Sequence, residues 1–306
     1  MHEGSKKAIV AAFFANLGIA AAKFTGFLIT RSAGLLAESM HSLADTGNQG
    51  LLLFGSRRGK RRADRAHPFG YGPERYFWAF VVALVLFSLG GLFALYEGID
   101  KLRHPHELDN AVVAYVILGL SIALEGASLR TAVREAGPMR PSGKGWWWFI
   151  RNAKSPELPV VLLEDTGAQA GLIFALFGLT MAEITGEPRW DAVGSIAIGL
   201  LLIAIAWVLA VEMKELLIGE APLDEVQGRI ERAIDDSDRV CGIIHLRAMH
   251  LGPEELLVAA KVEYDHGLSV AELAAAIDRT EVAMRAAVPH ELTIYIEPDI
   301  RRAPAS

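Results

Sequence analysis

The chain has 306 residues, 52% of them hydrophobic, a formal net charge of −6 and a mean hydropathy of +0.30. A soluble domain of this size rarely has a positive mean hydropathy, so the apolar surplus must face something other than water. The acidic balance excludes the basic footprint of a nucleic-acid binder, and the single cysteine, Cys241, excludes a disulfide framework or a cysteine-rich zinc module.

A helix needs about 20 mostly apolar residues to cross the hydrocarbon core of a bilayer. The first stretch that qualifies is 7–30. It follows a short basic start like that of a signal peptide, but its apolar run is too long for one and reads as a membrane helix. Five more follow at 33–56, 75–99, 111–133, 158–182 and 191–217. The second and fifth carry ionisable residues near their middles, where a charge is costly and is usually kept for a function. Six spans also fit the charge pattern. Arg57, Arg58, Lys60, Arg61, Arg62 and Arg65 crowd one connection, and Arg134, Arg140, Lys144, Arg151 and Lys154 another, whereas Arg31, Lys101, Arg103 and Arg189 are spread over the opposite side. Both termini are therefore expected in the cytoplasm.

After Leu217 the composition changes. GEAPLDE reads as a linker in which Pro222 breaks the last membrane helix and Asp224 caps the next helix. The periodicity then alternates as αββαβ over roughly 75 residues, which fits a small ferredoxin-like domain. The expected architecture is an α-helical membrane protein: a six-transmembrane-helix bundle over residues 1–218, with a C-terminal ferredoxin-like α/β cytoplasmic domain over 219–306.

Chemistry concentrates in two of the spans. In the second, AESMHSLADTGNQG places His41 and Asp45 four apart on one helix face, with Gln49 continuing it. In the fifth, VVLLEDTGAQAG sets Glu164 beside Asp165, with Gln169 one turn on. Imidazole with carboxylates suits Zn²⁺, and also Mn²⁺, Fe²⁺ or Co²⁺, while the lack of thiolates disfavours Cu⁺. Polar residues in membrane helices also hold bundles together by hydrogen bonds, and that reading stands beside the first.

HSLADTGNQGLLLFG, then HPFGYGPERY, LLEDTGAQAG and DAVGSIAIG, together resemble the cation diffusion facilitator family, over nearly the whole chain. The pairing of HSLAD with LLED is most similar to the branch that includes the mitochondrial zinc transporter. The resemblance implies a homodimeric metal/proton antiporter, usually for Zn²⁺, that needs no cofactor and is not an enzyme. It makes His41, Asp45 and Asp165 metal ligands. Val161, one turn before Asp165, stands where many members have His or Asp, so Glu164, Gln49, Asn48 or water completes the shell, or the site has three protein ligands. Glu164 lies about 100° round the helix from Asp165, so both can serve one ion only if the face between them points inward.

Metal needs neutral imidazole and ionised carboxylates, so protons compete for the same groups, and His41 is the natural coupling residue. No phosphate-binding loop of Walker type occurs, so an ion gradient must drive export. A non-transporting metal sensor and a membrane hydrolase are the readings from other classes; no nucleophile elbow or HExxH motif supports the second.

Further candidates are Asp64 and His67 in the basic loop, where some relatives bind a second metal, and Glu125 in the fourth span, a proton relay or a partner for Lys23. Trp146, Trp147 and Trp148 read as an interfacial segment, and Asp191 as the cap of the sixth span. In the C-terminal domain the positions that hold zinc in relatives match Ile244, Lys261, Glu297 and Asp299, a poor donor set. His245, His250, His266 and His290 read as surface histidines, and Cys241 as a small buried hydrophobe. The short chain points to a bacterial inner membrane.

Overall fold

The computed structural model describes residues 3–105 and 110–302, with side chains from Asn16 onward. The basic side chains that open the first span lie outside the described residues. Two compact units emerge, one of residues 1–57 and 76–214, the other of residues 58–75 and 215–306.

Among the described residues, the first unit is built of helices and their connections. α1 (Glu3–Thr30) and α2 (Ala33–Arg58) are followed by a continuous stretch, Glu74–Arg103, made of α3 (Glu74–Val85), a π-helical segment (Leu86–Leu92) and α4 (Phe93–Arg103). Then come α5 (Ala111–Ala136), the short α6 (Trp146–Asn152), α7 (Glu157–Thr185) and α8 (Arg189–Ile218). These long helices occupy the places that hydropathy marks. Among the described residues, four stretches are both long and apolar enough to span a bilayer: Glu74–Arg103, Ala111–Met139, Glu157–Thr185 and Arg189–Ile218. α2 fails that test because Glu38, His41, Asp45, Asn48 and Gln49 interrupt it, and all but Gln49 and Asp45 are fully buried.

Helix faces sort as lipid contact requires. On α5, Val112, Val116, Leu120 and Leu124 form an exposed apolar stripe at a spacing of four, while Ala114, Leu118 and Ser121 are buried on the other side. α7 and α8 approach to backbone distance, because a Cβ on Gly178 would lie 2.8 Å from the Trp190 carbonyl oxygen. The π-helical segment is pressed on α8 in the same way, a Cβ on Gly91 lying 2.6 Å from Ile203. One extra residue per turn is a feature that recurs at functional sites.

The end of the bundle where α2 and α8 begin is closed by a polar knot. Asp191 is inside the first turn of α8, not its cap as expected; it serves a different helix. Its Oδ2 accepts the backbone N–H of Ala33 at 2.7 Å, the start of α2, and its Oδ1 accepts from Ser32 Oγ at 2.7 Å. Lys101 Nζ donates to Asp191 Oδ2 and to the Arg31 carbonyl, both at 2.7 Å. The α2 N-terminus thus receives the anion that its dipole and its free N–H groups favour.

In the second unit, α9 (Asp224–Asp235), β1 (Val240–Gly252), β2 (Glu255–Tyr264), α10 (Val270–Ala287) and β3 (Glu291–Pro298) follow the expected order. The sheet order is β1-β2-β3, with β1 antiparallel and β3 parallel to β2. Leu256, Val258, Ala260 and Val262 alternate along β2 into a core shared with Ile230, Ile234, Ala276 and Met284 of the two helices. Two local expectations are corrected. α8 stops at Gly219, whose φ of +108° needs glycine, three residues before Pro222. α9 has Leu223 at its N-cap, and Asp224 supplies charge to the first turn instead. Ser269 and Glu272 form a capping box on α10.

Candidate metal site in the membrane unit

α2 carries its polar residues on one face because 38, 41, 42, 45, 48 and 49 recur at helical spacing. His41 is fully buried, with Nδ1 3.6 Å from Asp45 Oδ1. Among the described residues, neither ring nitrogen of His41 has a hydrogen-bond partner, nor do Asp45 Oδ1, Asn48 Oδ1 and Gln169 Oε1. Such orphans are rare in folded proteins, and each asks for an explanation. The π-helical segment runs beside this imidazole, a Cβ on Gly90 lying 3.9 Å from His41 Nδ1.

A small cavity of about 20 Å³ lies in the same region, lined among others by Asp45, Gln49, Glu125, Val161, Glu164 and Asp165. That is room for one water molecule or one bare ion. Glu164 and Asp165 both reach it, so the face between them does point inward. Each is anchored by a neighbour: Asn48 Nδ2 donates to Glu164 Oε1 at 2.7 Å, and Ser128 Oγ donates to Asp165 Oδ2 at 3.0 Å. His41 is not in the cavity lining, and among the described residues no three of His, Cys, Asp and Glu stand close enough to grip an ion. Side chains must turn inward for an ion to be held.

Beside the cavity lies a second buried cluster. Lys23 of α1 donates to Glu38 Oε2 at 3.1 Å, Ser42 Oγ at 2.8 Å and Glu125 Oε1 at 3.4 Å. Glu125 is therefore a partner for Lys23. Glu38 lies three residues before His41 on the same face, a placement that the sequence candidates do not include. Gly171 of α7 makes room for it, since a Cβ there would run into Glu38 Oε1.

Asp64 and His67 lie in the second unit, away from any group of three possible ligands among the described residues. Asp64 Oδ1 accepts the N–H groups of Ala66 and His67 at 2.9 and 2.8 Å, and Oδ2 accepts from Tyr71 O–H at 2.8 Å. These bonds, the Tyr71 hydroxyl's foremost, hold the Asp64 carboxyl below its ordinary range. They make it a loop clasp, with Arg61 stacked 4.3 Å from the Tyr71 ring.

Lys261 Nζ bridges Glu297 and Asp299 at 3.0 Å each, so these carboxylates already have a cation between them. His250 is buried, its Nδ1 3.1 Å from the Gly252 carbonyl oxygen, and Cys241 is exposed; both reverse the sequence expectation. The odd position of Cys241 on β1, beside the bulge at Gly242, turns it outward. The tryptophan run forms α6, where Arg140 covers Trp146 at 4.7 Å and Lys144 covers Trp148 at 5.3 Å.

A bundle of apolar helices with an ionisable, orphan-rich cavity inside defines a membrane protein with a buried polar site, and the chain belongs to the cation efflux family. The profile of the cation efflux transmembrane domain matches residues 9–218, and that of the cation efflux cytoplasmic domain residues 222–299. Relatives include the human mitochondrial protein called proton-coupled zinc antiporter SLC30A9, 32% identical over 79% of this chain and 43% of its own length. Magnetosome protein MamB of Magnetospira sp. is 24% identical over 93% of this chain and 92% of that one. The metal cation efflux system protein CzcD of Cupriavidus metallidurans is 28% identical over 78% and 70%. The chain thus spans less than half the length of the human relative. It is a multi-pass membrane protein of a cation efflux family.

Proposed function

We propose that the protein exchanges a divalent metal ion, Zn²⁺ foremost, for protons, exporting the metal from the cytoplasm by alternating access. The observation that carries this is a one-ion cavity lined by Asp45, Glu164 and Asp165, with the His41 imidazole, whose ring nitrogens make no hydrogen bond among the described residues, one helical turn before Asp45 on the same helix. His41, Asp45, Asp165 and Glu164 are the ligands, and Gln49 is held near. One imidazole with carboxylates suits Zn²⁺ and also Mn²⁺, Fe²⁺ and Co²⁺; the zinc in the name of the human relative favours the first. Because every one of these donors can bind a proton instead, metal and proton compete for one site, and exchange follows from that competition.

Residues 1–218 form the transport unit and 219–306 a cytoplasmic domain that joins two copies, as the name of the matching cytoplasmic family leads us to infer. Both termini lie in the cytoplasm, and the bilayer is a bacterial inner membrane. Asp45→Ala is expected to abolish Zn²⁺ uptake into inverted membrane vesicles; full uptake by that variant would sink the assignment.

A further inference from the structure

Val161 lines the ion cavity one helical turn before Asp165, at a place where a donor would face the ion, yet valine has none. Another helix brings a donor to the same space. Glu125 of α5 lines the cavity, and its side chain is 13% exposed. Ser128, three residues on, bonds to Asp165 and so fixes this face of α5 against α7. The outward stripe of Val112, Val116, Leu120 and Leu124 fixes the opposite face.

We propose that Glu125 is a ligand of the transported ion, taking the coordination position that Val161 leaves without a donor, and that Lys23 holds it between ions. This deepens the metal-site reading above and rests on it. Of the three bonds of Lys23, the one to Glu125 is the longest, 3.4 Å against 2.8 and 3.1 Å. When Glu125 turns to an ion, Lys23 keeps Glu38 and Ser42, so no buried ammonium is stranded. Until then Lys23 screens a carboxylate that would otherwise stand unpaired in the membrane. The shell then has one imidazole and carboxylate oxygens drawn from three helices. That set is harder than one with a second imidazole, and it admits Mn²⁺ and Fe²⁺ more readily.

The test is metal binding by the purified full-length protein in lipid nanodiscs, titrated with Zn²⁺ and Mn²⁺, with Co²⁺ absorption reporting the donor set. Five forms are compared: wild type, Glu125→Gln, Glu125→Asp, Glu125→Gln with Val161→Asp, and Asp45→Ala. Glu125→Gln should weaken Zn²⁺ binding on the order of 10- to 100-fold or more and change the Co²⁺ spectrum. Glu125→Asp should lose less, and the added carboxylate at 161 should recover most of the loss and the wild-type spectrum. Wild-type binding in Glu125→Gln with loss in Asp45→Ala would overturn the Glu125 role and leave the site standing. A loss that Val161→Asp does not recover would also overturn it, because Glu125 would then act only through Lys23. Wild-type binding in Asp45→Ala would bring down the site itself, and this inference with it.

Discussion

The membrane unit contains two sets of buried polar groups that differ in one respect. Where α2 and α8 begin, Asp191, Lys101 and Ser32 bond to one another, the Arg31 carbonyl and the Ala33 N–H, and none keeps an atom without a partner among the described residues. On the polar face of α2, of which Asp45 and Gln49 line the cavity, His41, Asp45 and Asn48 keep atoms with no hydrogen-bond partner among the described residues. The first set is what a bundle needs to close a helix end and fix three helices against one another. The second costs stability and returns none, which is what a site shaped for something that comes and goes must do. Burial alone does not distinguish a strut from a site; satisfaction of the polar atoms does.

The largest expected difference lies between the two aspartates. Asp191→Ala strands Lys101 and uncaps α2, and should destabilise the protein by about 3–5 kcal/mol. Asp45→Ala removes a carboxylate that is only partly bonded, so its stability should match or exceed that of wild type while transport is lost. Thermal unfolding of both variants in one detergent checks this. Equal destabilisation would erase the distinction drawn here. A smaller effect calibrates the scale in the second unit, where Ser269→Ala breaks the capping box of α10 and should cost about 1 kcal/mol with transport unchanged.

Much of this was legible in the amino-acid sequence, for physical reasons. Spans show because bilayer thickness fixes helix length, and α2 shows as a site because its charges sit where charge is costly. The αββαβ order shows because helix and strand periods differ. What stayed hidden depends on neighbours distant in the chain. Asp191 reads as the cap of its own helix, because nothing near it in sequence says that α2 begins beside it. Glu38 reads as an unremarkable residue near a helix start until Lys23 and Gly171 are seen around it. The π-helical segment at Leu86–Leu92 looks like any apolar run, and its close approach to α8 at Gly91 is seen only in the fold. Spacing along each helix points to His41, Asp45, Glu164 and Asp165, but it carries no information on their separation across helices.

The most direct test of the central claim is proton movement driven by metal in proteoliposomes, with Zn²⁺, Mn²⁺, Fe²⁺ and Co²⁺ each supplied in turn to wild type and to Asp165→Ala. The account predicts proton flux with Zn²⁺ in the wild type and its loss in the variant. Folded protein that binds Zn²⁺ yet moves no protons with any of the four ions would contradict it, and would make the cavity the site of a sensor.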